Sequence, residues 1–185
     1  DSPDIERAPQ AARSLAHAES AADRMAAMIA GLLEYARRGS AAPHPQSVRL
    51  DELTADVIAD LGAPIAATSA TIAVDADLEV WADRTLLGVV IQNLVANAVK
   101  FAAAAGVTPH VEVRGTGTAS GSVITVDDNG PGVPRDLRRR VFDLMDRGDA
   151  VGVEGLGLGL ATCRRIIQAH GGHVILEDSP LGGAR

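Results

Sequence analysis

Asn93, Asn97 and Lys100 stand at i, i+4 and i+7 in an apolar stretch. On a helix these positions fall within about 60° of one another, on one stripe. Amide oxygens are hard ligands of the kind magnesium takes beside waters and phosphate oxygens. A lysine beside them adds a compact positive charge for a phosphate. Lys100 is the one lysine of the chain, and every other fixed cation is arginine. The solvated face of an ordinary amphipathic helix would show the same trio, because Leu87, Ile91, Leu94 and Ala98 form a separate apolar face.

Two glycine-rich runs follow. Asp127-Asp128-Asn129-Gly130-Pro131-Gly132 lies after an apolar, strand-like segment. Asn-Gly and Pro-Gly are ordinary turn chemistry. They also suit a carboxylate at a strand end with glycines that let a flat ligand approach the backbone. A carboxylate accepts hydrogen bonds and cannot donate them. It therefore suits the amino group of adenine and opposes the carbonyl of guanine. Gly155-Leu156-Gly157-Leu158-Gly159-Leu160 opens a helix, where backbone amides bind anions. It is neither a P-loop nor a strand-following G-x-G-x-x-G, and a plain flexible loop would show the same glycines.

The elements that must hold these groups can be read from pattern. Residues 11–38 carry a heptad seam of Leu15, Ala18, Ala22, Met25, Ile29, Leu32 and Ala36, as in a helical bundle. Gly39, Ser40, Pro43 and Pro45 mark a linker. The spacing predicts a helix over 51–61, strands at 71–74 and 78–81, and a long helix over 84–104 capped by Asp83. Strands follow at 111–113 and 123–126, then a short basic helix from Arg135 to Leu144. A helix over 159–169 and a strand from His173 to Glu177 complete the reading, with another strand expected where the chain stops. This order lacks regular βαβ alternation. It predicts a two-layer α/β sandwich, a mixed β-sheet packed on helices, preceded by a long bundle helix.

Composition narrows the classes. With 17 basic and 24 acidic side chains the net charge is -7, which argues against a nucleic-acid binder. One cysteine, Cys163, allows no internal disulfide and fits a reducing compartment. No uninterrupted apolar run approaches the roughly 18 residues of a membrane span, so no membrane contact is expected from this segment. The first residue is Asp1, consistent with a piece of a longer protein.

The order of the motifs is more specific than any one of them. NLVANAVKF (93–101), VDDNGPGVP (126–134), VFDLM (141–145) and GLGLGL (155–160) resemble the N, G1, F and G2 boxes of sensor histidine kinases of two-component systems. The helix with MIAGLLEYARRG is similar to the second helix of their dimerisation and phosphoacceptor hairpin. The resemblance implies residues 1–40 as a partial hairpin, 41–50 as linker and 51–185 as a catalytic ATP-binding domain of the Bergerat (GHKL) fold with its last strand truncated. The module most resembles those behind PAS or phytochrome-type sensors.

The resemblance also implies roles. Asn97 becomes the main magnesium ligand, with Asn93 supporting the metal and phosphate network. Lys100 contacts phosphate, Phe101 packs beside adenine, and Asp128 binds the adenine amino group above a floor of Gly130 and Gly132. Gly155, Leu156, Gly157 and Gly159 belong to the phosphate cradle, Phe142 anchors the lid, and Arg147 is a further phosphate contact. Met145 stands where a second aromatic is common, and Leu156 where Thr or Ser is common.

No phosphoacceptor histidine is found. His17 is followed by Ala18 rather than an acidic residue, and no proline follows on its helix. The expected function is thus the ATP-binding catalytic portion of a histidine kinase. It would transfer the γ-phosphoryl group of ATP to a histidine on a helix absent here, for relay to a response regulator aspartate. Implied companions are ATP, Mg2+, a homodimer partner, a response regulator receiver domain and an upstream sensor domain in cis, in the cytoplasm. Chaperone and topoisomerase ATPases share the fold but carry a glutamate at the position of Asn93, and an amide is a poor base. The competing reading is a non-catalytic pseudokinase or dimerisation module with a vestigial nucleotide site.

Overall fold

A computed structural model describes residues 42–119, 121–143 and 157–185. The heptad segment 11–38, with His17, lies outside the described residues, as do Met145, Arg147, Gly155 and Leu156.

Strand β1, Gln46–Arg49, occupies part of the expected linker. It pairs antiparallel with β3, Glu79–Ala82, with Val48 opposite Val80. The strand is short and only Val48 is buried, so its alternation gives little signal. Helix α1, Leu50–Asp60, buries Leu50, Leu53, Thr54 and Val57, the spacing of one helical face. A second helix, α2, Gly62–Thr68, follows at once where the sequence reading ends the helix. Pro64 is tolerated there because it sits in the first turn, where its missing N–H has no partner to lose.

Strand β2, Thr71–Asp75, leads through β3 to helix α3, Arg84–Ala104. Strands β4, His110–Thr118, and β5, Gly121–Asp128, complete a three-stranded sheet of order β2-β4-β5. β2 runs parallel to β4, and β4 antiparallel to β5, so the sheet is mixed as expected.

The core lies between this sheet and α3. Leu87, Ile91 and Val95 join Val48, Leu50, Leu53, Val57 and Val113 in one cluster, and Ala98 and Val99 meet Val111 in another. The opposite side of α3 receives α4, Gly159–Ala169, through Val89, Val90, Cys163 and Ile166. By length and composition α3 could cross a membrane. Its apolarity has another cause here, since sheet and helices enclose it from two sides.

Both long elements of the site end in the same way. Gly106, at φ 76°, follows α3, and Val107 N–H reaches back to Ala102 O at 3.0 Å. Gly171, at φ 77°, follows α4, and Gly172 N–H reaches Ile167 O at 2.9 Å. These are Schellman closures that need glycine in the left-handed region.

Two expectations are corrected. Residues 135–143 form turns and a short 3-10 helix, Arg140–Phe142, rather than a helix from Arg135. Leu137 and Phe142 are buried, and Arg138 donates to Val133 O and pairs with Asp178. These tertiary anchors outweigh the weak helical preference of so short a segment. Residues 173–177 form no strand, and pairing begins only where Glu177 and Arg185 exchange backbone bonds of 2.9 and 3.0 Å. Asp178 and Ala184 make one isolated bridge beyond them.

Candidate nucleotide-binding site

α3 is the spine of the site. Its start is set by Asp83, whose Oδ1 accepts Leu86 N–H at 3.0 Å and whose Oδ2 accepts His44 N–H at 3.0 Å. These bonds hold the Asp83 carboxyl below its ordinary range. Asp83 N–H in turn donates to His170 Nε2 at 3.0 Å, and His170 Nδ1 donates to Ile166 O at 2.8 Å. The His170 ring thereby joins the end of α4 to the start of α3.

Asn93, Asn97 and Lys100 are half-buried along one stripe of α3, as their spacing predicts. Asn93 Nδ2 donates to Val89 O at 2.9 Å, which turns its Oδ1 away from its own helix. That oxygen meets the first residue of α4, where a Cβ on Gly159 would come within 2.6 Å of it. Gly157, two residues earlier, has φ 68°. At the other end of the stripe, Lys100 Nζ lies 4.7 Å from the centroid of the Phe101 ring. Among the described residues no group of three or more His, Cys, Asp and Glu could hold a metal ion.

Asp128 closes the far end. Its Oδ1 accepts Gly130 N–H at 2.8 Å and Ala184 N–H at 3.0 Å. Burial pushes its carboxyl up, against the pull of those two N–H groups. Oδ2 accepts no hydrogen bond among the described residues. Gly130 sits over α3, where a Cβ would lie 3.4 Å from Ala102 N and 3.0 Å from Asp128 Oδ1. Gly132 has φ 69° and packs on Gly183 O. α3 spans the distance between the two ends. From Asn93 to Ala102 is nine residues, about 14 Å at 1.5 Å per residue.

The family model for histidine kinase-, DNA gyrase B-, and HSP90-like ATPases matches residues 82–185. The chain belongs to this family. The sensor-type histidine kinase PrrB of Mycobacterium leprae (strain TN) is 46% identical over 99 residues, 54% of this chain and 21% of that protein. The crystal structure of full-length ShkA in complex with AMPPNP superposes with a TM-score of 0.72 at 28% identity, over 93% of this chain and 36% of that one. A structure of the histidine kinase ThkA with the response regulator protein TrrA shares the fold, with a TM-score of 0.67 at 22% identity over 98% of this chain and 50% of that one. Residues 82–185 are thus a catalytic ATP-binding domain of the sensor histidine kinase type. The chain spans about a fifth of the length of PrrB.

In this ATP-binding domain three positions make contacts for which the motif reading gave no role. Asn129 Oδ1 accepts His110 N–H at 2.8 Å and its Nδ2 donates to Thr108 O at 3.0 Å, fixing the start of β4 to the loop that carries Gly130. Gly183 is confined so closely that a Cβ would overlap the Asp128 carboxylate. Asp127, fully buried, is gripped by Arg185. The Gly182-Gly183 pair is a sequence cue for the second; the others show only as contacts.

Proposed function

We propose that the groove along α3 binds ATP with magnesium and presents its γ-phosphoryl group to a histidine on a separate helix. The observation that carries this reading is the separation along α3. A carboxylate acceptor lies at one end and a helix N-terminus against an amide at the other, about 14 Å apart. That spacing suits an extended nucleoside triphosphate, adenine on Asp128 and phosphates near Gly157 and Gly159.

Asp128 Oδ2 accepts the adenine amino group, while Gly130 and Gly132 give the flat ring room at the backbone. Phe101 packs beside the base and Lys100 neutralises phosphate charge. Asn97 and Asn93 supply amide oxygens that fit a hard divalent cation sharing phosphate oxygens. Bound there, magnesium supplies charge neutralisation on the phosphates. The first turn of α4 turns its free N–H groups toward the anion. Gly155, Leu156 and Arg147 are assigned to the same phosphate contacts. The acceptor imidazole nitrogen forms a bond to the γ-phosphorus as the bond to the β,γ-bridging oxygen breaks, and ADP leaves. This domain contributes position and charge neutralisation rather than a base. Asn93 favours transfer over hydrolysis, because an amide does not activate water.

In the whole protein we assign residues 1–40 to one helix of a dimerisation hairpin in a homodimer. The phosphoryl group then passes to a response regulator receiver domain, under an upstream sensor domain, in the cytoplasm. The test is calorimetric titration of Mg-ADP, Mg-ATP and Mg-GTP. Magnesium-dependent binding of adenine nucleotides, absent for GTP and lost in Asn97→Ala, is the expected result. A folded chain that binds none of them overturns the reading in favour of a scaffold.

A further inference from the structure

We infer that Arg185 is a positioning residue for adenine recognition, acting through Asp127 and the backbone of Gly183 and Ala184. The inference rests on the reading of Asp128 as the adenine acceptor.

β5 ends in two aspartates, and strand alternation sends them to opposite faces of the sheet. Asp128 lies opposite Val111, on the face toward α3. Asp127 lies opposite Glu112, on the outer face, and is fully buried. Arg185 Nε donates to Asp127 Oδ1 at 2.9 Å and Nη2 donates to Oδ2 at 3.0 Å. Arg114 Nη1 stands at 3.4 Å from Oδ2 as a weaker partner. A two-point fork of this kind fixes direction as well as distance.

The residues just before Arg185 are those that hold Asp128. Asp128 N–H donates to Ala184 O at 2.9 Å, and Gly183 N–H donates to Asp128 O at 3.1 Å. Ala184 N–H donates to Asp128 Oδ1 at 3.0 Å. Oδ1 is thereby occupied, and Oδ2 is left for a ligand. The fork on one face of β5 thus sets the register of the segment that orients the carboxylate on the other face. The neighbouring Asp127 charge also raises the Asp128 carboxyl, less than burial does, and Arg185 pairs with that charge.

The test measures Mg-ADP affinity by calorimetry from pH 5 to pH 8. It compares the parent chain with Arg185→Ala, Arg185→Lys and Asp128→Asn, each checked for folding by circular dichroism. Arg185→Ala is expected to bind about tenfold more weakly. Its acid limb should move to higher pH, because Asp128 loses an N–H that holds its carboxyl down. Lysine keeps the charge without the fork, so Arg185→Lys should recover only part of the affinity. A purely structural role would lower the melting temperature and leave affinity and pH profile unmoved, which overturns the inference. If Arg185→Ala does not fold, parent-like binding by Arg185→Lys has the same force. Parent-like binding by Asp128→Asn would instead defeat the adenine reading itself, so the two failures are distinguishable.

Discussion

The first residue of α4, Gly159, lies against the side-chain oxygen of Asn93 on α3, with no room for a Cβ between them. Two segments 66 positions apart in the chain thus meet at backbone-to-amide distance. The contact places the start of one helix beside an amide oxygen of another helix. A Gly159→Ala substitution must separate them. It should cost about 1–3 kcal/mol of stability, the usual range for overpacking. Nucleotide affinity should fall with it, by about tenfold. Thermal denaturation and calorimetry on the same preparation check both, and unchanged affinity would dissociate this contact from the phosphate site.

On the proposed reading, Asp128 trades stability for recognition. Its folded-state pKa is raised. The stability it contributes is therefore present below its unfolded value, roughly 3.9, and is lost as pH rises through the folded value. At neutral pH the ionised carboxylate is a burden. Asp128→Asn keeps an oxygen for Gly130 and Ala184 and removes the charge. It should melt higher than the parent at pH 7, lose that advantage in acid, and bind adenine nucleotides poorly. Melting curves at pH 7 and pH 3.5 would show the crossover.

Asp83 has the opposite sign. Its folded-state pKa is depressed by the N–H groups of Leu86 and His44. Its contribution is present above the unfolded value and is lost as pH falls through the folded one. Asp83→Ala should cost about 1–2 kcal/mol at pH 7, the cost of an N-cap. The gap between variant and parent should narrow only below the ordinary carboxylate range. Denaturant titrations at neutral and strongly acid pH would measure it.

His170 accepts at Nε2 and donates at Nδ1. Nitrogen NMR of the neutral ring should therefore find its proton on Nδ1. His170→Ala leaves Asp83 N–H without its partner and should cost about 1–3 kcal/mol. His170→Gln, which offers an acceptor of similar reach, should recover part of the loss. Equal destabilisation by both would mean that ring packing, not the hydrogen bond, is what α4 needs.

Much of this was legible because periodicity and local chemistry agreed. Asp83 reads as a cap and accepts as one. The stripe from Asn93 to Lys100 follows from helix spacing. Illegible parts had weak local signals. β1 is four residues long, and α2 carries a proline that only its first-turn position excuses. The basic segment from Arg135 has helical composition, yet buried Leu137 and Phe142 hold it in turns. The paired aspartates read as one turn motif, although their neighbours on the two faces of β5 give them separate tasks.

The sequence alone determined the order of most elements, the Asp83 cap and the polar residue types carried by α3 and by the turn after β5. Those depend on interactions within a few positions of the chain. Tertiary structure decided which groups meet: Gly159 with Asn93, Arg185 with Asp127, Ala184 with Asp128 and His170 with Asp83. Hydrogen bonds and close approaches act over about 3 Å, so the fold must bring distant residues together before their spacing has any chemical meaning.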